Sequence, residues 1–214
     1  SLVMPALVTP PVLYAAAMAQ RHIGQAAAGL VATLPFQLAI GSVAVGLAMG
    51  DQTAADLGLH GAAYLGAMVA YGLAFAWGMR RSGPVLAVAC AGAAYLVCVA
   101  TLLKVVPQLA CAIGLVALVM GMRIHAKAPS VLEVSGSLPP VWVTIAVGTA
   151  AVLGVVTLVA ASGPVVGAML AAVPVVSTTL ALLSARSQGR DSAAHIMVGL
   201  NQGLTAYFAF AVTI

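Results

Sequence analysis

Two aspartate–histidine pairs are the residues of this sequence best suited to chemistry. Asp56 precedes His60 by four residues and Asp191 precedes His195 by the same spacing, in a 214-residue chain with four acidic residues and four histidines. Residues four apart share one face of a helix, so each carboxylate is within reach of its histidine. Because histidine changes charge near neutral pH, the pairs could transfer protons or act as gates. The simpler interpretation is two helix starts, each with an acidic residue at its positive end.

Polar residues also follow two prolines that interrupt apolar stretches. Gln37 comes after Pro35, while Ser177 and Thr178 come after Pro174. A proline inside a helix removes one backbone hydrogen bond, and in lipid the freed carbonyl needs another partner. Paired helix breaks indicate a binding site between them. A kinked packing helix, whose Ser and Thr side chains bond to their own backbone, is the other interpretation.

Asn201 and Gln202 are neighbouring amides in the last apolar stretch. Amides are unfavourable against lipid, so at least one should face protein or a cavity. Interhelical hydrogen bonding and substrate contact both remain open. With Gln37, Ser177 and Thr178, these amides predict a neutral site for a small polar or weakly anionic solute, or for a lipid-like molecule.

The sequence carries no signature of catalysis, of a cofactor or of a metal. It has no phosphate-binding glycine loop before a lysine, no Gly-x-Ser-x-Gly elbow and no metal-spaced His/Cys set. We therefore expect no enzyme activity, no cofactor, no catalytic residue and no metal ligand. An intramembrane enzyme acting on a lipid through His60 or His195 is an alternative that only the lone histidines support.

The elements that would position these groups are membrane helices. Hydrophobic residues make up 63% of the chain and charged residues 6%, whereas soluble domains carry about 25% charged residues. The apolar stretches run roughly 18 to 25 residues, the length that crosses a bilayer core. The composition predicts an all-α polytopic integral membrane protein with about eight transmembrane helices, surrounded by membrane lipids. Its net charge of +4 lies in short loops and does not indicate nucleic acid.

Basic residues fall unevenly on the two sides of the predicted bundle. Lys104 lies alone on one side, and the rest lie on the other: Arg21, Arg80, Arg81, Arg123, Lys127, Arg186 and Arg190. Loops rich in Lys and Arg stay in the cytoplasm. We therefore expect a multi-pass protein of the cell inner (plasma) membrane with both termini outside.

The two halves of the chain share a pattern of rare residues. A shift of 135 residues superimposes the Asp/His pairs, and a shift of 139 superimposes Pro35 on Pro174. We predict a first repeat of five helices over 1–126, a cytoplasmic linker over 127–139 and a partial repeat of three helices over 140–214. A turn is expected at Ser162-Gly163-Pro164.

An odd number of helices in the first repeat makes the second begin from the opposite side. This inverted topology is typical of many secondary transporters, and it would put one Asp/His pair at each mouth of a pathway. We therefore expect a secondary transporter or exporter with alternating access, with proton coupling left open. A non-catalytic transmembrane subunit of a larger complex is the alternative. A homodimer or other membrane subunits remain open as partners.

Overall fold

A computed structural model describes residues 3–34, 52, 62–125, 137–211 and 213, and these parts of the chain fold into helices without any strand. The helices are α1 Val3–His22, α2 Gln25–Thr33, α3 Leu65–Arg81, α4 Pro84–Leu102, α5 Pro107–His125, α6 Val141–Ala171, α7 Val175–Gln188 and α8 Arg190–Ala211. The predicted all-helical class is confirmed over these ranges.

Among the described residues, two stretches of helix are long and apolar enough to cross a membrane. They are α4 and the part of α6 from Val141 to Leu158, and a shorter apolar helix covers Gln108–Arg123. About eight such spans were expected. α2 and α7 are too short, with 9 and 14 residues: α2 ends at Thr33, and α7 begins directly after Pro174. Membrane crossing itself stays a prediction for all of the helices.

Tight turns built on glycine join three pairs of consecutive helices. Gly24 lies between α1 and α2 with φ 128°, Gly83 between α3 and α4 with φ 108°, and Gly189 between α7 and α8 with φ 92°. Side-chain-bearing L-residues rarely adopt such angles, so glycine is required for these reversals. Each glycine N–H still bonds to a carbonyl of the preceding helix, which holds the turn against the helix end.

Contacts between the turns place all three at the same end of the bundle. Arg80 Nε lies 3.7 Å from Asp191 Oδ1, and the Gln20 amide donates to Ser184 Oγ at 2.5 Å. We call this the basic end, because it carries Arg21, Arg80, Arg81, Arg186 and Arg190. α1, α3 and α7 therefore run toward the basic end, whereas α2, α4 and α8 run away from it.

α6 also begins at the basic end, beside the end of α1. The Arg21 guanidinium donates to the Pro139 carbonyl at 2.7 Å, and Leu13 packs against Gly148 further along the two helices. α1 and α6 are therefore antiparallel neighbours. The turn predicted at Ser162-Gly163-Pro164 is wrong, because α6 continues through it to Ala171. The turn tendency of a tripeptide is a weak local preference, and this helix contains Pro164 although proline has no N–H for a helical hydrogen bond.

α8 is the central helix and packs against α2, α3, α5 and α7. Its crossing with α2 is backbone to backbone. A Cβ at Gly199 would lie 1.8 Å from the Ala26 carbonyl oxygen, and one at Gly29 would lie 1.9 Å from the Ile196 carbonyl oxygen. Small residues permit such close helix contacts. Glycine on both helices therefore fixes where α2 crosses α8.

Candidate functional site

A helix boundary lies next to each of the two prolines. α2 ends at Thr33, and Leu34 has φ −54° and ψ 144°, the extended conformation that a following proline imposes. Pro174 has φ −79° and ψ 67° and lies just before α7. Pro174 was expected half-way along a helix, but it instead separates α6 from α7. Pro35 and Gln37 lie outside the described residues.

The two breaks meet in space. Thr33 Oγ1, at the end of α2, lies 3.4 Å from Ser177 Oγ, in the first turn of α7, and both residues are buried. Thr33 also lies 2.6 Å from the Gly29 carbonyl, which can only accept. The single Thr33 hydroxyl hydrogen is therefore used there, and Ser177 donates to Thr33.

A second hydroxyl pair lies on the next residue of α7. Tyr71 of α3 is buried, and its hydroxyl lies 2.8 Å from Thr178 Oγ1. Thr178 donates to the Pro174 carbonyl at 2.8 Å, so the shared hydrogen belongs to Tyr71. The bond from Thr178 to Pro174 is what the kinked-helix interpretation predicted. Tyr71 and Thr33 add partners from two other helices, which that interpretation does not require.

We call Thr33, Tyr71, Ser177 and Thr178 the hydroxyl cluster. Their depth can be counted from the helix ends that lie at the basic end. Thr33 comes eight residues after the first residue of α2, whereas Tyr71 comes ten residues before the last residue of α3 and Ser177 eleven before the last residue of α7. At a rise of about 1.5 Å per residue, these positions lie roughly 12, 15 and 16 Å from the basic end. These distances are about half the thickness of a bilayer hydrocarbon core, which is about 30 Å.

The two amides of α8 face different surroundings. Asn201 is fully buried, and a Cβ at Gly72 of α3 would lie 2.9 Å from its Oδ1. Gly121 of α5 faces the other side of the same amide, so Asn201 lies between α3 and α5. Gln202 is exposed. The expectation that at least one amide faces protein is confirmed for Asn201. Gln202 is not brought to the hydroxyl cluster.

Asp191 and His195 lie at the basic end. Asp191 is in the first turn of α8, as the helix-start interpretation predicts, and its carboxylate faces Arg80 at the surface. The His195 Nδ1–H donates to the backbone carbonyl of Asp191 at 2.9 Å. A gating or proton-transfer role stays a prediction. Asp56 and His60 lie outside the described residues.

Sequence reasoning missed a polar network near the basic end. Gln20 donates both to Gln25 Oε1 at 2.6 Å and to Ser184 Oγ at 2.5 Å. Gln25 donates to Gln188 Oε1, which also accepts from Ser192 at 3.1 Å. We call these five residues the amide clasp. Their signal in the sequence is weak: glutamines close to the Gly24 and Gly189 turns.

Within the described ranges, no group of three or more His, Cys, Asp or Glu residues is placed to hold a metal ion. The hydroxyl cluster and the amide clasp consist of uncharged side chains that can donate and accept hydrogen bonds. No known protein family matches this chain, and no curated protein or solved structure is detectably similar to it.

Proposed function

We propose that the protein is a secondary membrane transporter or exporter that binds a small polar solute at the hydroxyl cluster. The observation that carries this proposal is the meeting of the α2 and α7 breaks at one buried polar point. Discontinuous helices that meet near the bilayer midplane are how many carriers build a substrate site. Irregular backbone at that depth is tolerated where it lies within protein or lines a water-filled cavity.

Helix directions support the inverted repeat on which alternating access would depend. Over the described residues, the proposed equivalents are α1 with α6 and α3 with α8; α2 and α7 lie on opposite sides of the two prolines and are not equivalent. Members of each pair run in opposite directions relative to the basic end. Carriers of this kind move a solute when one repeat rocks against the other around a fixed site.

The hydrogen-bond directions favour a solute that donates hydrogen bonds. The hydroxyls of Thr33 and Thr178 both donate to backbone carbonyls, so their oxygens have spare capacity only as acceptors. A neutral solute with O–H or N–H groups would satisfy them. A weakly anionic solute or a lipid-like headgroup would first require these hydroxyls to rotate away from the backbone.

We place the protein as a multi-pass protein of the cell inner membrane, with the basic end in the cytoplasm and both termini outside. Arginine at that end agrees with the usual charge distribution of membrane proteins. Membrane lipids would cover the exposed apolar face of α4, which includes Val85, Leu96 and Val97. Asp191 and His195 would then lie at the inner mouth.

Accessibility of Ser177 from the two sides of the membrane tests this proposal without knowledge of the solute. The native cysteines are first replaced by alanine: Cys90, Cys98 and Cys111. Ser177→Cys is then exposed to a membrane-impermeant thiol reagent in vesicles of each orientation. Alternating access predicts modification from either side. Matched controls are Ser82→Cys at the basic end, Lys104→Cys at the other end and Val97→Cys facing lipid.

The controls define what each result means. Ser82→Cys and Lys104→Cys should each react from one side only, and Val97→Cys should not react. If Ser177→Cys reacts from neither side while the end controls react as expected, the carrier proposal is wrong. The same chain would then be better described as a non-catalytic membrane subunit, for which the broad apolar face of α4 would be a packing surface for other subunits or a second copy.

Labelling at the aspartates tests the inverted repeat separately. Asp56→Cys should react from the side opposite to the basic end, and Asp191→Cys should react from the basic end. Reaction of both from one side would refute the inversion.

A further inference from the structure

The amide clasp joins α2 and α7, two of the three helices that carry the hydroxyl cluster. Gln25 is the first residue of α2 and Gln188 is the last residue of α7, and their amides are hydrogen-bonded to each other. Further along, the same helices meet again where Thr33 approaches Ser177. α2 and α7 therefore lie side by side and antiparallel, with one polar contact at the basic end and another at the helix breaks.

The seam between these two contacts has buried residues on both helices. Ala28 of α2 and both Leu180 and Ala181 of α7 come between the two contacts along their helices, and all three are buried. Gln20, Gln25 and Ser184 are themselves buried, although they lie near the ends of their helices. A solute at the hydroxyl cluster would have to pass the clasp to reach the basic end along this seam.

We infer that the amide clasp is the gate that closes the transport pathway at the basic end. This inference rests on the proposed transport function. Two of its hydrogen bonds, Gln20 to Ser184 and Gln25 to Gln188, join the hairpins α1–α2 and α7–α8, so these two must break if the hairpins separate. Amide groups suit a reversible contact, because water can replace each bond when the gate opens. A purely apolar contact would instead expose hydrophobic surface to water on opening.

The direction of the hydrogen bonds gives a sharp test with two isosteric changes. Gln25 uses its amide N–H to donate to Gln188, whereas Gln188 uses its amide oxygen to accept from both Gln25 and Ser192. Gln25→Glu therefore removes a donor that the clasp needs. Gln188→Glu keeps the acceptor and serves as the matched control. Gln202→Ala removes an exposed amide of α8 outside the clasp.

The measurement is the rate at which Ser177→Cys is modified from each side, with these changes added in turn. Gln25→Glu should raise the rate from the basic end by about fivefold to tenfold, as expected when one hydrogen bond of the closed state is lost. The rate from the other end should not rise. Gln188→Glu should not raise the rate from the basic end, because a carboxylate still accepts both bonds. Gln202→Ala should leave both rates within about twofold. Ser184→Ala, which removes one hydroxyl, should act like Gln25→Glu and replaces it if that variant does not fold.

The possible failures can be told apart. Equal acceleration from both ends would mean general loosening and would overturn the gate. Unchanged rates in Gln25→Glu and Ser184→Ala would overturn it as well, while reaction from both sides in the parent would keep the carrier proposal intact. If Ser177→Cys reacts from neither side in the parent or in any variant, the transport proposal itself fails.

Discussion

Replacement of Gly199 by alanine is expected to force α2 away from α8. The new Cβ would lie 1.8 Å from the Ala26 carbonyl oxygen and 2.6 Å from the carbonyl carbon. Carbon approaches a carbonyl oxygen to about 3.3 Å even in close Cα–H···O contacts, so the helices must separate by about 1.5 Å. The obstacle is backbone, which cannot rotate aside as a side chain can. Overpacking of this kind destabilises by about 1–3 kcal/mol, and we expect the upper end of that range.

Equilibrium unfolding of the purified protein in mixed micelles, followed by circular dichroism, measures this loss. Gly92→Ala on α4 and Gly154→Ala on α6 are matched controls, because a Cβ at either position meets nothing within 4 Å. Alanine favours a helix over glycine by about 1 kcal/mol, so the controls should be neutral or more stable. If Gly199→Ala behaves like the controls, the close crossing of α2 with α8 is wrong.

Three further outcomes follow from the same contacts. Tyr71→Phe and Thr178→Val should each lower the free energy of unfolding by about 1 kcal/mol. Because the two hydroxyls share one hydrogen bond, the double variant should lose less than the sum of the two single losses in a double-mutant cycle. Additive losses would refute that bond. Asp191→Asn should change the free energy of unfolding by less than about 1 kcal/mol, because the contact of Asp191 with Arg80 is exposed. The difference from the parent should shrink in high salt. A larger loss that does not depend on salt would contradict this. Val97→Asp should impair membrane insertion by about 2.5–3.5 kcal/mol in a translocation assay if α4 faces lipid, whereas no effect would place that face in water.

The helix breaks could be predicted because proline acts locally. Its ring restricts the preceding residue and removes a donor, and Leu34 and Pro174 adopt the expected non-helical backbone. The rule is not absolute, because Pro10 and Pro11 lie inside α1 and Pro164 lies inside α6. The tripeptide at 162–164 resembled a turn as strongly, yet α6 continues through it. The turn tendency of a tripeptide is a weak local preference.

The amide clasp and the α2–α8 crossing could not be predicted in the same way. Gln20 and Ser184 are 164 residues apart, and no local periodicity links them. Gly29 and Gly199 are two of 22 glycines, and nothing in the sequence separates those at a helix crossing from those facing open space. Asn201 could be predicted in part. The sequence indicated that one of the two amides faces protein, but only the packing of α8 shows that it is Asn201 rather than Gln202.

The central claim is that the breaks of α2 and α7 meet at one point. The measurement that tests it most directly is disulfide formation in a Thr33→Cys/Ser177→Cys variant that lacks the native cysteines. The hydroxyl oxygens are 3.4 Å apart, so small side-chain adjustments would bring two sulfur atoms to the bonding distance of about 2.05 Å. We expect an intramolecular disulfide under mild oxidation, and none when Thr33→Cys is paired with Ser187→Cys near the basic end. Absence of the first disulfide, or equal formation of both, would contradict the account.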